Sequence, residues 1–316
     1  WAGVLANRVG SARHADMLQA GLREPQDWLG ALMRVTLKAD VGVDVGAARA
    51  AGALLPERHL GLVAAHELLD SQQRLDAAAD ALAATPLGQM TAQDLQRWAV
   101  DFPAPAHTAA VPALLAGRTV AVARDAAFCF IYAANVQCLT HMGARVVFFS
   151  PLHDAALPQC DAVWLPGGYP ELHTAQIAAN TAMQASLRAH AEAGKPLWAE
   201  CGGMMALMES IALADGSTAP LWGLLPGQVT MQKRLAALGP QQLAVAGHTL
   251  RGHTFHYSTC DSSATVVART ARPGEVPVPD AGEALYQQGS IHASYFHAWF
   301  PSSPEAVAHL MGGVPL

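Results

Sequence analysis

The sequence predicts an α/β fold built mainly on parallel strands. Short runs rich in Val, Ala, Leu and Phe alternate with stretches of helical spacing, the pattern of βαβ units. Glycines stand where two of the helical stretches stop, at Gly143 and Gly194. At 316 residues the chain is long enough for about two domains.

Residues 1–100 read as a first α/β region. Trp1–Val9 has the composition of a buried strand, a helix is expected from Ala12 to Gly21, and Trp28–Met33 reads as a second short strand. A chain opening mid-strand on Trp rather than Met is expected to be missing an upstream segment. Residues 40–53, rich in Gly, Ala and Val, show no clear period. A long helix is expected over roughly 62–83 and a short one over 91–98. Residues 101–117 hold three prolines and few charges, a linker composition, and the boundary between domains 1–100 and 118–316 is placed there.

Beyond the linker the alternation is plain. Strands are expected at Arg118–Ala123, Arg145–Phe149, Asp161–Leu165 and Pro196–Ala199, with helices over about 132–142 and 172–193. From about 220 to 300 the pattern changes to short strands between Gly and Pro turns, and a last helix covers 304–312.

Composition excludes several classes. With 19 Lys and Arg against 25 Asp and Glu, the net charge is −6, which argues against a nucleic-acid partner. No apolar run is long enough for a membrane span, and no signal peptide opens the sequence, so a cytoplasmic location is expected. Five scattered cysteines make neither a disulfide framework nor a C-x-x-C metal site, and no metal ligand set is expected.

In open parallel sheets, ligands sit beyond the carboxyl ends of the strands. Cys201 stands there, between the strand Pro196–Ala199 and a helical stripe of Met204, Leu207, Met208 and Ile211. Strand, cysteine, helix is the arrangement of a nucleophile elbow, and Gly202 and Gly203 let the backbone turn. The helix N-terminus is expected to lower the thiol pKa. Cys129, Cys138, Cys160 and Cys260 lack such a setting and read as structural. Pro166-Gly-Gly-Tyr-Pro-Glu171 lies at the end of a neighbouring strand, where paired glycines allow a carbonyl to approach backbone N–H groups. A thiol nucleophile needs a base, and the 14 histidines leave several choices. His253 and His256 lie in Gly252–Ser258, His292 and His297 in Ser290–Phe300. As a strand, 253–257 would put His253 and Tyr257 on one face and His256 on the other, which argues against zinc there. No G-x-x-x-x-G-K-[ST] phosphate loop occurs.

Taken together, Ala123-Arg-Asp-Ala-Ala-Phe128, Phe149-Ser-Pro-Leu152, Pro166–Glu171, Ala199-Glu-Cys-Gly-Gly203, Gly252-His-Thr-Phe-His-Tyr-Ser258 and Ala293-Ser-Tyr-Phe-His297, in this order, resemble the cobyrinic acid a,c-diamide synthases. These are ATP- and glutamine-dependent amidotransferases of cobalamin biosynthesis. Gly3–His14 and Pro56–Val63 match as well, so the resemblance covers nearly the whole chain. It implies part of a dethiobiotin-synthetase-like, P-loop ATP domain followed by a class I glutamine amidotransferase domain of flavodoxin-like fold. Cys201 matches the family's nucleophile and His297 its catalytic histidine. Gly167 and Gly168, with Gly202, would lie at the oxyanion and glutamine-binding site, and Asn7 matches a position near the adenine.

The resemblance implies glutamine and a corrinoid as partners, with ATP and Mg²⁺ required by the complete enzyme. The family's phosphate loop lies upstream of the Asn7 strand, and residues 40–53 look like an insertion. The wider class often has His-x-Glu, but here Trp299 fills the second position, which implies a Cys–His dyad. Other acceptors, such as hydrogenobyrinic acid or a nickel sirohydrochlorin, and a non-catalytic corrinoid-binding remnant remain open. Apolar surface left by a missing segment would favour a homodimer.

Overall fold

The computed structural model describes residues 1–34, 57–58, 61–62, 68–103, 111–279 and 281–312. Two compact units result, Trp1–His107 and Thr108–Leu316.

In the first unit, β1 (Val4–Val9) and β2 (Trp28–Met33) pair in parallel and are joined by α1 (Ala12–Ala20), a single βαβ crossover. Helix α1 starts where Ser11 Oγ accepts the His14 N–H. Met17, Leu75 and Leu95 are exposed. The short β3 (Glu57–Arg58) and β4 (Gly61–Leu62) form a hairpin. Helix α2 (Ser71–Ala83) begins nine residues later than the long helix expected from about 62. The apolar run before it has helical spacing, but Leu62 lies in a strand and a turn at 69–70 intervenes. Asp70, at the helix boundary, accepts a bond from Arg74 Nε at 2.8 Å, one turn on. Helix α3 (Ala92–Gln96) is opened by a capping box between Thr91 and Asp94. Residues 40–53 and most of 54–63 lie outside the described residues.

In the second unit, β5 (Thr119–Ala123) and β7 (Ala162–Leu165) carry continuous apolar runs, as strands covered on both faces require, while β6 (Arg145–Phe149) forms the sheet edge and leaves Phe148 exposed. They are followed by β8 (Leu197–Glu200), whose four residues are all buried. The helices between them are α4 (Ala133–His141), α5 (Thr174–Ala179) and α6 (Thr181–Glu192). The single helix expected over 172–193 is broken at Asn180. Its Oδ1 caps α6 at Met183 N–H, and its Nδ2 donates to the carbonyls of Pro151 and Asp154. Those bonds satisfy the side chain better than a mid-helix position would.

After the six-residue α7 (Gly202–Leu207) the chain turns to short strands: β9 (Ser210–Ala212), β10 (Thr218–Pro220), β11 (Gln228–Met231), β12 (Ala237–Val245), β13 (His248–His256), β14 (Ser258–Asp261), β15 (Thr265–Arg269), β16 (Ala284–Gln288), β17 (Ile291–Ser294) and β18 (His297–Ala298). Helix α8 (Pro304–Gly312) ends the described chain. The main sheet has seven strands in the order β15-β16-β17-β8-β7-β5-β6, parallel from β17 to β6. A second sheet, β12-β13-β18, is held against it by a core containing Trp164, Trp198, Leu243, Phe296, Phe300 and Met311. No helix among the described residues is long and apolar enough to cross a membrane.

Helices α4 and α6 both end in Schellman geometry. Gly143 (φ 86) and Gly194 (φ 72) are left-handed, and the next residue donates back to the last turn, Ala144 to Leu139 and Lys195 to His190. The two glycines differ in surroundings. A Cβ on Gly143 would lie 3.1 Å from Ala116 Cα, whereas nothing lies within 4 Å of one on Gly194. Gly194→Ala should therefore cost about 1–2 kcal/mol, the left-handed penalty alone. Gly143→Ala should cost more, read as a lower midpoint in urea unfolding. Equal midpoints for the two variants would contradict this packing.

Candidate active site

The carboxyl ends of β5, β7 and β8 converge on one place, where the resemblance put five of its six site residues. Cys201 sits on the turn from β8 into α7 with φ 45 and ψ −106, a left-handed setting that non-glycine residues rarely adopt. Its N–H donates to Ser294 O at 2.7 Å, and its carbonyl accepts from Met205 N–H. The helix is shorter than the apolar stripe suggested, since Ile211 belongs to β9.

Glycines set the spacing around the cysteine. A Cβ on Gly202 would lie 2.8 Å from Gly168 N and 2.9 Å from Pro170 Cδ, so the elbow and the 166–170 loop approach backbone to backbone. Gly168 in turn lies against Ala127 O, which accepts the Tyr169 N–H. Phe130 N–H donates to Gly167 O at 3.0 Å. Asp125 fixes this supporting loop: its Oδ1 accepts from the Ala127 and Phe128 N–H groups, its Oδ2 from Ser150 Oγ and Leu152 N–H.

His297 reaches the same loop from the strand that follows β17, the neighbour of β8. It lies on β18, in register with His253 on β13, and its Cε1 occupies the space a Cβ on Gly167 would need. The His253 and His297 rings stack at 4.9 Å with 13° between planes. His253 and His256 point to opposite faces of β13, as the spacing predicts: His256 stacks on Tyr295 at 3.7 Å and contacts Glu283 at 3.1 Å. Around His297 the exposed rim is aromatic. Phe130 packs edge-on to Tyr169, and Tyr132 meets both Trp299 and His253.

Burial decides the electrostatics and reverses one expectation. Burial pushes the Cys201 thiol well above its ordinary range, and the nearby carboxylates of Glu171 and Glu283 add to this. A bond from Gly202 N–H lowers it without prevailing. The helix N-terminus therefore fails to make a resting thiolate, because one short turn cannot offset the loss of solvent. Burial also drives His297 down to about 3, helped by His253 and His256. At neutral pH the Cys201 thiol is protonated and the His297 imidazole is neutral.

Asn7 belongs to the first unit. It is exposed, and its Oδ1 accepts the N–H of Arg8 at 2.8 Å. Cys201, His297, Gly167, Gly168 and Gly202 are the residues brought together.

The model of CobB/CobQ-like glutamine amidotransferase domains matches residues 119–305, which include all five. The chain belongs to that family. It is 46% identical over 312 residues to the hydrogenobyrinate a,c-diamide synthase of Stutzerimonas stutzeri (strain A1501), covering 98% of this chain and 66% of that protein. To the cobyrinate a,c-diamide synthase of Herminiimonas arsenicoxydans it is 41% identical over 314 residues, 98% of this chain and 65% of the relative. The chain thus spans just under two thirds of the length of these curated relatives. A crystal structure of a glutamine amidotransferase aligns with 61% of this chain and 97% of its own at 21% identity and a TM-score of 0.44.

Within this amidotransferase domain, sequence reading named His253 only as one of several possible bases and gave no part to Asp125 or the side chain of Glu200. His253 stood in a quoted motif, and its strand parity was the available signal. Both carboxyls accept backbone N–H groups, Asp125 from Ala127, Phe128 and Leu152 and Glu200 from Ala298, partners that carry no side-chain signature.

A neutral resting pair has a measurable consequence. Alkylation of Cys201 by iodoacetamide, mapped by peptide mass spectrometry, should be slow at neutral pH and still rising above pH about 10, where an ordinary thiol has levelled off. A fast plateau from acidic to neutral pH would instead mean a preformed thiolate–imidazolium pair.

Proposed function

We propose that this chain carries the glutaminase half of a hydrogenobyrinate or cobyrinate a,c-diamide synthase and releases ammonia from glutamine at Cys201. The observation carrying this reading is the strained turn that presents Cys201 between β8 and α7, against the loop that Gly167 shares with His297. The relatives named above, matched over 98% of this chain, support the corrinoid acceptor.

On this reading His297 takes the Cys201 proton as Sγ attacks the glutamine side-chain amide carbon. The carbonyl oxygen, now negative, is held at the Gly167–Gly168 turn and the Gly202 N–H. Collapse breaks the C–N bond, His297 returns the proton to the departing ammonia, and a thioester remains. Water activated by His297 hydrolyses it to glutamate and the free thiol. Its depressed pKa leaves the His297 ring neutral at ordinary pH but makes it a weak base, so the proton moves in concert with Sγ attack on the amide carbon.

Ammonia is a poor nucleophile toward a carboxylate, so amidation of the corrinoid acetates calls for ATP and Mg²⁺. The residues here do not fit that role. No G-x-x-x-x-G-K-[ST] occurs, and the one matched adenine-side residue, Asn7, has its Oδ1 engaged by Arg8. The ATP-dependent step is accordingly assigned to none of these residues.

Diazo-oxo-norleucine, a glutamine analogue that alkylates the nucleophile, tests the reading. Stoichiometric adduct should form on Cys201, be blocked by glutamine, and disappear in Cys201→Ser. His297→Ala should slow glutamine hydrolysis by about 10²–10⁴-fold, the usual contribution of a general acid–base group. Adduct on another cysteine, or hydrolysis unaffected by His297→Ala, would refute the assignment.

A further inference from the structure

The class pattern His-x-Glu is interrupted at Trp299, which leaves open what holds His297 in place. Trp299 itself takes no such part: its ring packs edge-on to Tyr132 at the exposed rim, and its N–H donates to Arg251 O. Strand β18 is only two residues long and pairs with β13 on one side. On its other side, among the described residues, the buried Ala298 N–H has no strand to meet. That N–H donates to Glu200 Oε1 at 3.3 Å, across 98 residues of sequence.

Glu200 is placed to act on both reacting side chains. It directly precedes Cys201 and is 2% exposed. The same Oε1 accepts Trp198 Nε1 at 2.7 Å, which fixes the rotamer of the carboxyl. Cys201 N–H meanwhile donates to Ser294 O, so two consecutive residues grip the 294–298 segment at both ends. Asn135 completes the clamp, donating from Nδ2 to Ala298 O and accepting the Phe300 N–H. An unpaired buried N–H at Ala298 would cost a penalty that the segment could escape only by shifting.

We propose that Glu200 is the positioning residue of this site, its carboxyl oxygen holding the Ala298 N–H so that the His297 ring stays seated against Gly167. It acts through the backbone and not by touching the ring, so an acceptor oxygen is what the position needs. Burial supports this: it lifts the Glu200 carboxyl to about 8, so the group is largely uncharged at neutral pH. A neutral carboxyl is mimicked by a carboxamide, which keeps the acceptor oxygen in place.

The inference rests on the glutaminase reading, and two variants separate the two. In the full chain, Glu200→Gln should retain glutamine hydrolysis to within about fivefold, the worth of an adjusted hydrogen bond. Glu200→Met, similar in size but without the oxygen, should lose on the order of 10²-fold in kcat with KM nearly unchanged, as expected for a misplaced catalytic group. The imidazole ¹⁵N signals of His297 provide a readout independent of turnover: unchanged in Glu200→Gln, shifted or broadened in Glu200→Met. Should Glu200→Met not fold, Trp198→Phe/Glu200→Met removes the indole donor along with its acceptor and tests the same bond. A folded methionine variant with native kcat and native His297 signals overturns the proposal. So does a glutamine variant as damaged as the methionine one, since charge would then be the requirement. If the wild-type chain hydrolyses no glutamine, the functional reading fails and the His297 signals still decide the role of Glu200.

Discussion

The site depends on the close approach of two backbones, Gly202 of the elbow and Gly168 of the loop beyond β7. Their separation leaves no room for a side chain at either, and Ala127 presses on Gly168 from behind. Cys201 can hold its left-handed conformation only because the surrounding structure fixes it. The parallel pairing of β8 with β17 and the bond from Cys201 to Ser294 oppose relaxation of the turn. Removing that constraint would cost the geometry before it cost the fold.

From this contact the rest of the second unit follows. The loop after β7 must stay close to β8, so it is braced by the 124–130 loop, and that loop is braced by Asp125. The second sheet must deliver His297 to the far side of Gly167, so β13 is long and β18 is tied to it for just two residues. Trp164, Trp198, Phe296 and Phe300 fill the space between the two sheets. Large, fully buried rings allow little sliding of one sheet over the other. Precision at the thiol is thus a property of the packing between the sheets as much as of the loops.

Much of this was legible from residues alone because its signals are local. Continuous apolar runs marked β5 to β8, glycines marked the ends of α4 and α6, and Cys201 with Gly202 marked the elbow. Failures occurred where a distant partner overrode local pattern. Asn180 looks harmless inside a helical stretch, yet it breaks the helix to bond the 151–154 loop. The thiol environment was misjudged because a helix end is visible in sequence, while burial beside Glu171 and Glu283 is not. Glu200 stood inside a quoted motif with no apparent task, since its partner is a main-chain N–H almost a hundred positions away.

That separation also bears on synthesis of the chain. Translation makes Cys201 well before His297, and β17, which flanks β8 and accepts the cysteine N–H, follows it by about ninety residues. Until β17 and β18 emerge, that edge of β8 is open and the thiol lacks the imidazole that the proposed reaction needs. On the glutaminase reading, a chain cut short of His297 therefore has the nucleophile without its base and cannot hydrolyse the glutamine amide.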